Sequence, residues 1–337
     1  MLRIGIVGGG AIGRLHARAV EQSGLAHVTL VTQRQGDEGE RFAREVGARF
    51  VSEPSAIWSG GHVDAVIACT PTSAHLAALA AATQFRVPLL IEKPVVASRA
   101  DMKVAARLAA HRPVITVGFS HRFAPGPASA LRLALSGSLG RVVHADLTMI
   151  KGWHFRERQA WHRGTQAGGM WFNNGAHLVD LALRFTAGSR VRVSAAMRPA
   201  MHDQVSDDLA TAVLDFPVST TTIRLAGTPY ESMTYHGVIV GTQKAVQFDL
   251  TSCVELGDAL PVRKEDAPDW RAVAFSGQFA AFAAYLAGGY NPCSLDEALD
   301  VSRVLRAGAE SSRRGSRFRP ALLHSTSQNA TLRYPEP

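Results

Sequence analysis

The segment LRIGIVGGGAIG (residues 2–13) constrains this chain more than any other. Leu2 to Val7 are alternating apolar β-formers, and they run straight into Gly8, Gly10 and Gly13, a G-x-G-x-x-G pattern. AIGRLHARAVEQSG then reads as a helix closed by Gly24, and HVTLV as a second strand. In that order the glycines have separate tasks. The first makes a tight turn, the second lets backbone approach a pyrophosphate, and the third lets helix and strand pack closely. The helix N-terminus then turns its positive end toward the phosphates. Gly8, Gly10, Ala11, Ile12 and Gly13 are therefore predicted to hold a dinucleotide.

The next checkpoint lies about 20 residues further on, at the end of the second strand, where NAD sites carry an acid for the ribose 2′-hydroxyl. Here the residues are Thr32, Gln33 and Arg34. No carboxylate stands there to repel a 2′-phosphate, and Arg34 could hold one, so the reading is NAD(P) with NADP favoured. Ligands of doubly wound sheets bind beyond the carboxyl ends of the strands. The strand DAVIAC (64–69) delivers Thr70, Pro71, Thr72 and His75 to that edge, and PLLI (88–91) delivers Glu92, Lys93 and Pro94. ITVGFSHR (115–122) adds a strand ending in His121 and Arg122.

The second half reads differently. Residues 141–150, 190–197, 209–216, 220–226, 233–241 and 244–250 look like strands, rich in β-branched residues and partly alternating. Between the first two lies GGMWFNNGAHLVD (168–180), where Asn173, His177 and Asp180 at i, i+4 and i+7 share one side of a helix. FSGQFAAFAAYLAGG and SLDEALDVSRVLRAGAESSRRG read as two late helices, and the tail after residue 322 is polar. A βαβ-rich half followed by a strand-rich half implies two α/β domains of different design.

Composition narrows the partners. Hydrophobic residues make up 46% and charged residues 19% of the 337, a globular balance. No apolar run approaches the ~18 residues of a membrane span, and no long apolar segment opens the chain, so the expectation is a cytoplasmic protein without membrane contact. The net charge of +8 invites nucleic acid, yet only five of the 36 basic residues are lysines and the arginines are scattered. With no basic face interleaved with aromatics and no reading motif, nucleic acid is not expected. Cys69, Cys253 and Cys293 lie far apart and fit packing positions in a reduced compartment.

Eight motifs in order, GIVGGGAIG, VDAVIACTPTSAH, EKP, GFSHRFAP, SGSLGRV, WHRGTQAGG, NNGAHLVD and AGAESSRRG, resemble the Gfo/Idh/MocA family of NAD(P)-dependent oxidoreductases. The resemblance implies a Rossmann doubly wound domain over residues 1–122. It also implies a substrate-binding and oligomerisation domain over 123–322, built on a large open, mostly antiparallel sheet, with the late helices packing back toward the first domain and 323–337 as a tail. That sheet implies a homodimer or homotetramer.

The resemblance also implies that Lys93 and His177 face the nicotinamide, with Asn173 where many members carry aspartate and Asp180 structural. A neutral amide does not raise the pKa of His177 as a carboxylate would, so His177 is expected at or below the ordinary histidine value, suited to act as a base. The implied chemistry is oxidation of a secondary hydroxyl on a ring polyol: His177 as base, Lys93 polarising the reacting oxygen, Asn173 positioning. Arg122, Trp153, His154 and Trp161, with Asn173 and His177, are the expected substrate contacts, since aromatic faces beside cations suit a hydroxylated ring. No carboxylate or cysteine partners His154 or His162 at metal-ligand spacing, so no metal is expected. Two alternatives stand beside this. FNNGAHLVD is similar to the version seen in phthalate-type cis-dihydrodiol dehydrogenases, and loss of the aspartate would also suit a non-catalytic sensor.

Overall fold

Alternating apolar residues make β1 (Leu2–Val7), and the glycine turn that follows opens α1 (Ala11–Gln22). In this computed structural model, residues 1–33, 36–59, 61–153, 169–186, 190–202, 206–261 and 269–315 are described. The chain divides into two compact units, Met1–Ser120 with Arg271–Leu299, and His121–Trp270 with Asp300–Pro337. Arg34, His154 and Trp161 lie outside the described residues. No helix among the described residues is long and apolar enough to cross a membrane.

In the first unit β1 is followed by β2 (Ala26–Thr32), α2 (Gly36–Glu45), β3 (Arg49–Phe50), β4 (Ala65–Ala68), α3 (His75–Phe85), β5 (Leu89–Glu92), α4 (Arg99–Ala109) and β6 (Ile115–Gly118). The strands are all parallel, in the order β3-β2-β1-β4-β5-β6. That is the doubly wound order, with its switch point at the β1–β4 junction. β4 (AVIA) is buried throughout, as expected of a parallel strand covered on both faces. Ser98 accepts a hydrogen bond from the Asp101 N–H and so caps α4.

The helix α8 (Trp270–Leu286) completes this core far along the sequence. Phe275, Phe279 and Phe282 recur on one face and join Ile4, Ile6, Val28, Val31, Ile67 and Leu90. Phe279 and Phe282 are fully buried, which stabilises by roughly 1.5–3 kcal/mol each.

The second unit holds α5 (Pro125–Leu135), β7 (Val142–Gly152), α6 (Gly169–Asn173), α7 (Gly175–Phe185), β8 (Arg192–Arg198), β9 (Leu209–Asp215), β10 (Thr220–Thr228), β11 (Met233–Gly241), β12 (Ala245–Phe248) and β13 (Cys253–Glu255). Its sheet runs β13-β12-β11-β7-β10-β9-β8 and is antiparallel except at the β7–β10 pair. The alternation in β10 buries Thr221, Ile223 and Leu225 and exposes Arg224. α7 begins close against this face, because Gly175 leaves no room for a Cβ between Leu225 and Trp171. Trp171 donates its indole N–H to the Leu305 carbonyl of α9 (Leu295–Arg314) at 2.8 Å.

One carboxylate gathers the backbone that follows β8. Asp208, fully buried, accepts from the Ala200, Met201 and His202 N–H groups at 2.8–2.9 Å and lies 3.0 Å from His202 Nδ1. Asp208→Ala strands those donors, and each buried donor left without a partner costs about 1–3 kcal/mol. The expected loss in chemical denaturation is therefore about 3 kcal/mol or more; a loss below ~1 kcal/mol would show that the carboxylate does not organise this segment.

Candidate active site

In the first unit the glycine turn has the shape its spacing predicts. Gly8 has φ +99°, and a Cβ on it would meet the Cys69 carbonyl oxygen at 2.7 Å. A Cβ on Gly13 would collide with the Gly8 carbonyl, so only glycine lets α1 start this close to β1. Gly10 is different: a Cβ there meets nothing within 4 Å. That open ground, before the N-terminus of α1, fits a pyrophosphate approaching bare backbone. Ala11 and Ile12 are exposed beside it, Ile12 at 41%. Thr32 is buried instead, and its carbonyl takes the Gly8 N–H at 2.9 Å.

Two loops at the carboxyl ends of β4 and β5 meet at His75. Its Nε2 lies 2.9 Å from the Thr70 carbonyl, and its Nδ1 lies 3.1 and 3.2 Å from the Pro94 and Val95 carbonyls. Burial pulls its pKa below the ordinary value, and the carbonyls only partly oppose this. The neutral ring has one N–H, so it donates to one side and packs against the other, lying between the loop bearing Thr70, Pro71 and Thr72 and the loop bearing Lys93. Burial likewise lowers the Lys93 ammonium, with Glu92 opposing. Burial alone would raise Glu92, but His16 at 2.9 Å and Lys93 outweigh it and hold the carboxyl below its ordinary range. His16 on α1, absent from the sequence expectations, thus joins the glycine-turn helix to the EKP segment.

In the second unit the helix expected across residues 169–180 is two helices. α6 ends at Asn173, Asn174 forms a turn, and α7 carries His177 and Asp180. Gly169 needs its positive φ of +51°, and a Cβ there would meet the Asp207 carboxylate at 2.5 Å. Asp207 occupies that space as the cap of α6, accepting from Met170 N–H through its carbonyl and from Trp171 N–H through its carboxylate. The face is not solvated: His177 is 7% and Asp180 1% exposed, with Asn173 half-buried.

What meets that face is the turn Ser120–Phe123. Arg122 makes a bidentate pair with Asp180, Nε to Oδ2 at 2.8 Å and Nη2 to Oδ1 at 2.5 Å, with side chains 4% and 1% exposed. Its neighbour His121 stacks on His177, ring centroids 3.7 Å apart and planes 7° from parallel. Tyr235 and Trp270 stand edge-on to His121 at 5.3 and 5.4 Å. Burial first, then Asp180, pushes the Tyr235 hydroxyl far above its ordinary pKa, so it stays protonated. Sequence reading placed His121 at a strand end without a role and passed over Tyr235. The inward alternation of Tyr235, Gly237 and Ile239 in β11 was the available signal.

Two expected substrate contacts are differently employed. The Arg122 guanidinium, expected at substrate, is committed to Asp180. Trp153 is 1% exposed and packs with Met170 over Gly227, a core position. Cys69 is pushed well up by burial, which suits packing rather than nucleophilic chemistry. Among the described residues, no group of three or more His, Cys, Asp or Glu side chains could hold a metal ion.

These features match an established family. Residues 2–119 fit the model of the Gfo/Idh/MocA oxidoreductases' NAD-binding Rossmann fold, and residues 128–247 fit that family's C-terminal domain. The chain belongs to the Gfo/Idh/MocA oxidoreductase family. Inositol 2-dehydrogenase 4 of Saccharopolyspora erythraea is 35% identical over 145 residues, 42% of this chain and 43% of the relative. The chain thus spans less than half the length of that relative. A putative myo-inositol dehydrogenase from Sinorhizobium meliloti superposes with TM-score 0.82 at 20% identity, covering 95% of this chain and 100% of the other. Levoglucosan dehydrogenase in complex with NADH and levoglucosan gives TM-score 0.82 at 17% identity, covering 95% and 99%. At those identities the likeness is one of fold.

The Asp207 carboxyl titrates in the physiological range, pushed up to about 7 by burial and, more weakly, by Asp208, against the N–H groups it accepts. The unfolded chain releases this proton near the ordinary value of 3.8, so folding stability falls as pH rises from about 4 to 7 and the penalty is complete above it. Asp207→Asn keeps an acceptor for Trp171 and cannot ionise. Denaturation curves should show the variant gaining on the native protein from pH 5 to 8, by on the order of 2 kcal/mol. Parallel pH profiles would show that Asp207 is ionised throughout.

Proposed function

We propose that the protein is a dehydrogenase that oxidises a secondary hydroxyl on a polyol ring, with a nicotinamide dinucleotide as hydride acceptor. The observation that carries this is the stacked His121–His177 pair, held on a buried helix face in a chain whose first unit is an NAD-binding Rossmann fold.

The stack has an electrostatic consequence. Two imidazolium rings with centroids 3.7 Å apart would repel by about 4 kcal/mol at an effective dielectric of ~20. Protonation of one ring therefore disfavours protonation of the other, so the pair takes up one proton readily, and it is with neither ring charged that His177 can accept the substrate's proton. In the reaction the substrate hydroxyl gives its proton to His177, the C–O bond becomes a carbonyl, and the C–H electron pair leaves as hydride. Bound on the Gly8–Gly13 turn, the dinucleotide would supply the acceptor for that hydride. Lys93, its ammonium destabilised by burial, polarises the reacting oxygen. Asn173, a neutral amide, orients the ring hydroxyls by hydrogen bonding. Arg122 we assign to positioning: by gripping Asp180 it sets the neighbouring His121 against His177.

A polyol panel of inositols, hexoses and one aromatic cis-dihydrodiol, read as reduced-cofactor absorbance, tests the assignment. One or more members should be oxidised, and His177→Ala should slow the chemical step ~100-fold or more. Hydride transfer unchanged by His177→Ala would remove His177 from the role of base.

A further inference from the structure

The end of β2 lacks an acid in sequence, but the fold brings one to it. Gln33, the residue after β2, turns its side chain back over the glycine turn. Its Oε1 accepts from the Gly9 N–H at 2.9 Å, and its Nε2 donates to Glu38 Oε2 at 2.9 Å. This orientation of the amide is fixed chemically, because an N–H needs the oxygen and a carboxylate needs the NH₂. The residues around it leave little slack: a Cβ on Gly9 would meet Gln33 Oε1 at 2.5 Å, and one on Gly39 would meet the Gln33 Cβ at 3.1 Å. Gln33 is thus a coupler with both ends engaged, one on the phosphate turn and one on the first turn of α2. Glu38 is exposed, and among the described residues its other oxygen has no hydrogen-bond partner. Arg14 of α1 is held by Glu45 and by the Gly9 carbonyl.

We infer that Glu38, oriented by Gln33, is the carboxylate that recognises the adenosine ribose and rejects a 2′-phosphate, so that the protein selects NAD over NADP. This rests on the dinucleotide reading above and reverses the choice that the sequence around Gln33 and Arg34 favours. A carboxylate accepts from the ribose 2′-hydroxyl, whereas a 2′-phosphate places like charge against it. Because the acid arrives from α2 through a side-chain hydrogen bond, it is invisible at the usual position in the strand.

Fluorescence titration with NADH and with NADPH, on the native chain and on Glu38→Gln and Gln33→Ala, tests this without any substrate. The native chain should bind NADH ~10-fold or more tightly than NADPH, as expected for a like-charge contact at a partly screened surface. Glu38→Gln should narrow that ratio ~10-fold, chiefly by tightening NADPH, and Gln33→Ala should narrow it too by releasing Glu38. Equal or tighter NADPH binding by the native chain, or an unchanged ratio in Glu38→Gln, would overturn the inference while leaving the dinucleotide site in place. Binding of neither cofactor would remove the dinucleotide reading and the inference with it.

Discussion

A charge pair sealed from water, Arg122 on Asp180, is what the histidine face of the second unit depends on. Burying two ions is unfavourable unless the geometry is close to ideal, and a bidentate guanidinium–carboxylate contact is the arrangement that meets that condition. Losing either partner would leave a buried charge alone, an effect of about 3–5 kcal/mol. The pair therefore acts as a registry device. It locks the turn Ser120–Phe123 against α7 at one position, and residues adjacent to each partner follow. His121, next to Arg122, then lies over His177, one turn before Asp180. A slip of one residue in either element would separate the rings.

The first unit is built on contact of a different kind, backbone against backbone. Gly8 and Gly13 let β1, α1 and the end of β4 approach within distances no side chain permits. Polar side chains then tie the loops at the strand ends to one another: His75 joins the β4 and β5 loops, His16 joins α1 to Glu92, and Gln33 joins the glycine turn to α2. Each link is short and made by a residue whose role a strand-and-helix reading does not reveal. Together they make a rigid rim from otherwise independent loops.

The parts of this account legible in sequence are those written in local spacing. The glycine turn, the parallel strands and most strands of the second sheet announce themselves through periodicity and turn residues within a dozen positions. The strand order of the second sheet does not, because the parallel β7–β10 pair joins segments far apart in the chain. The break at Asn174 was hidden, since its flanking residues keep helical spacing. The His121 stack and the Tyr235 edge contact are tertiary, as is the Gln33–Glu38 bond, so spacing alone could flag the residues but not join them. Arg122 and Trp153 show the converse. Residue type suited them to a substrate, while burial gave one to an ion pair and the other to the core.

In this reading the Arg122–Asp180 clamp makes His121 and His177 a single unit that takes up one proton before the other. The most direct measurement is an NMR pH titration of the isotopically labelled histidine rings in the intact protein, with His121→Phe used for assignment. The two rings should take up one shared proton first and the second only at clearly lower pH. Independent protonation of both rings at their ordinary values would contradict it.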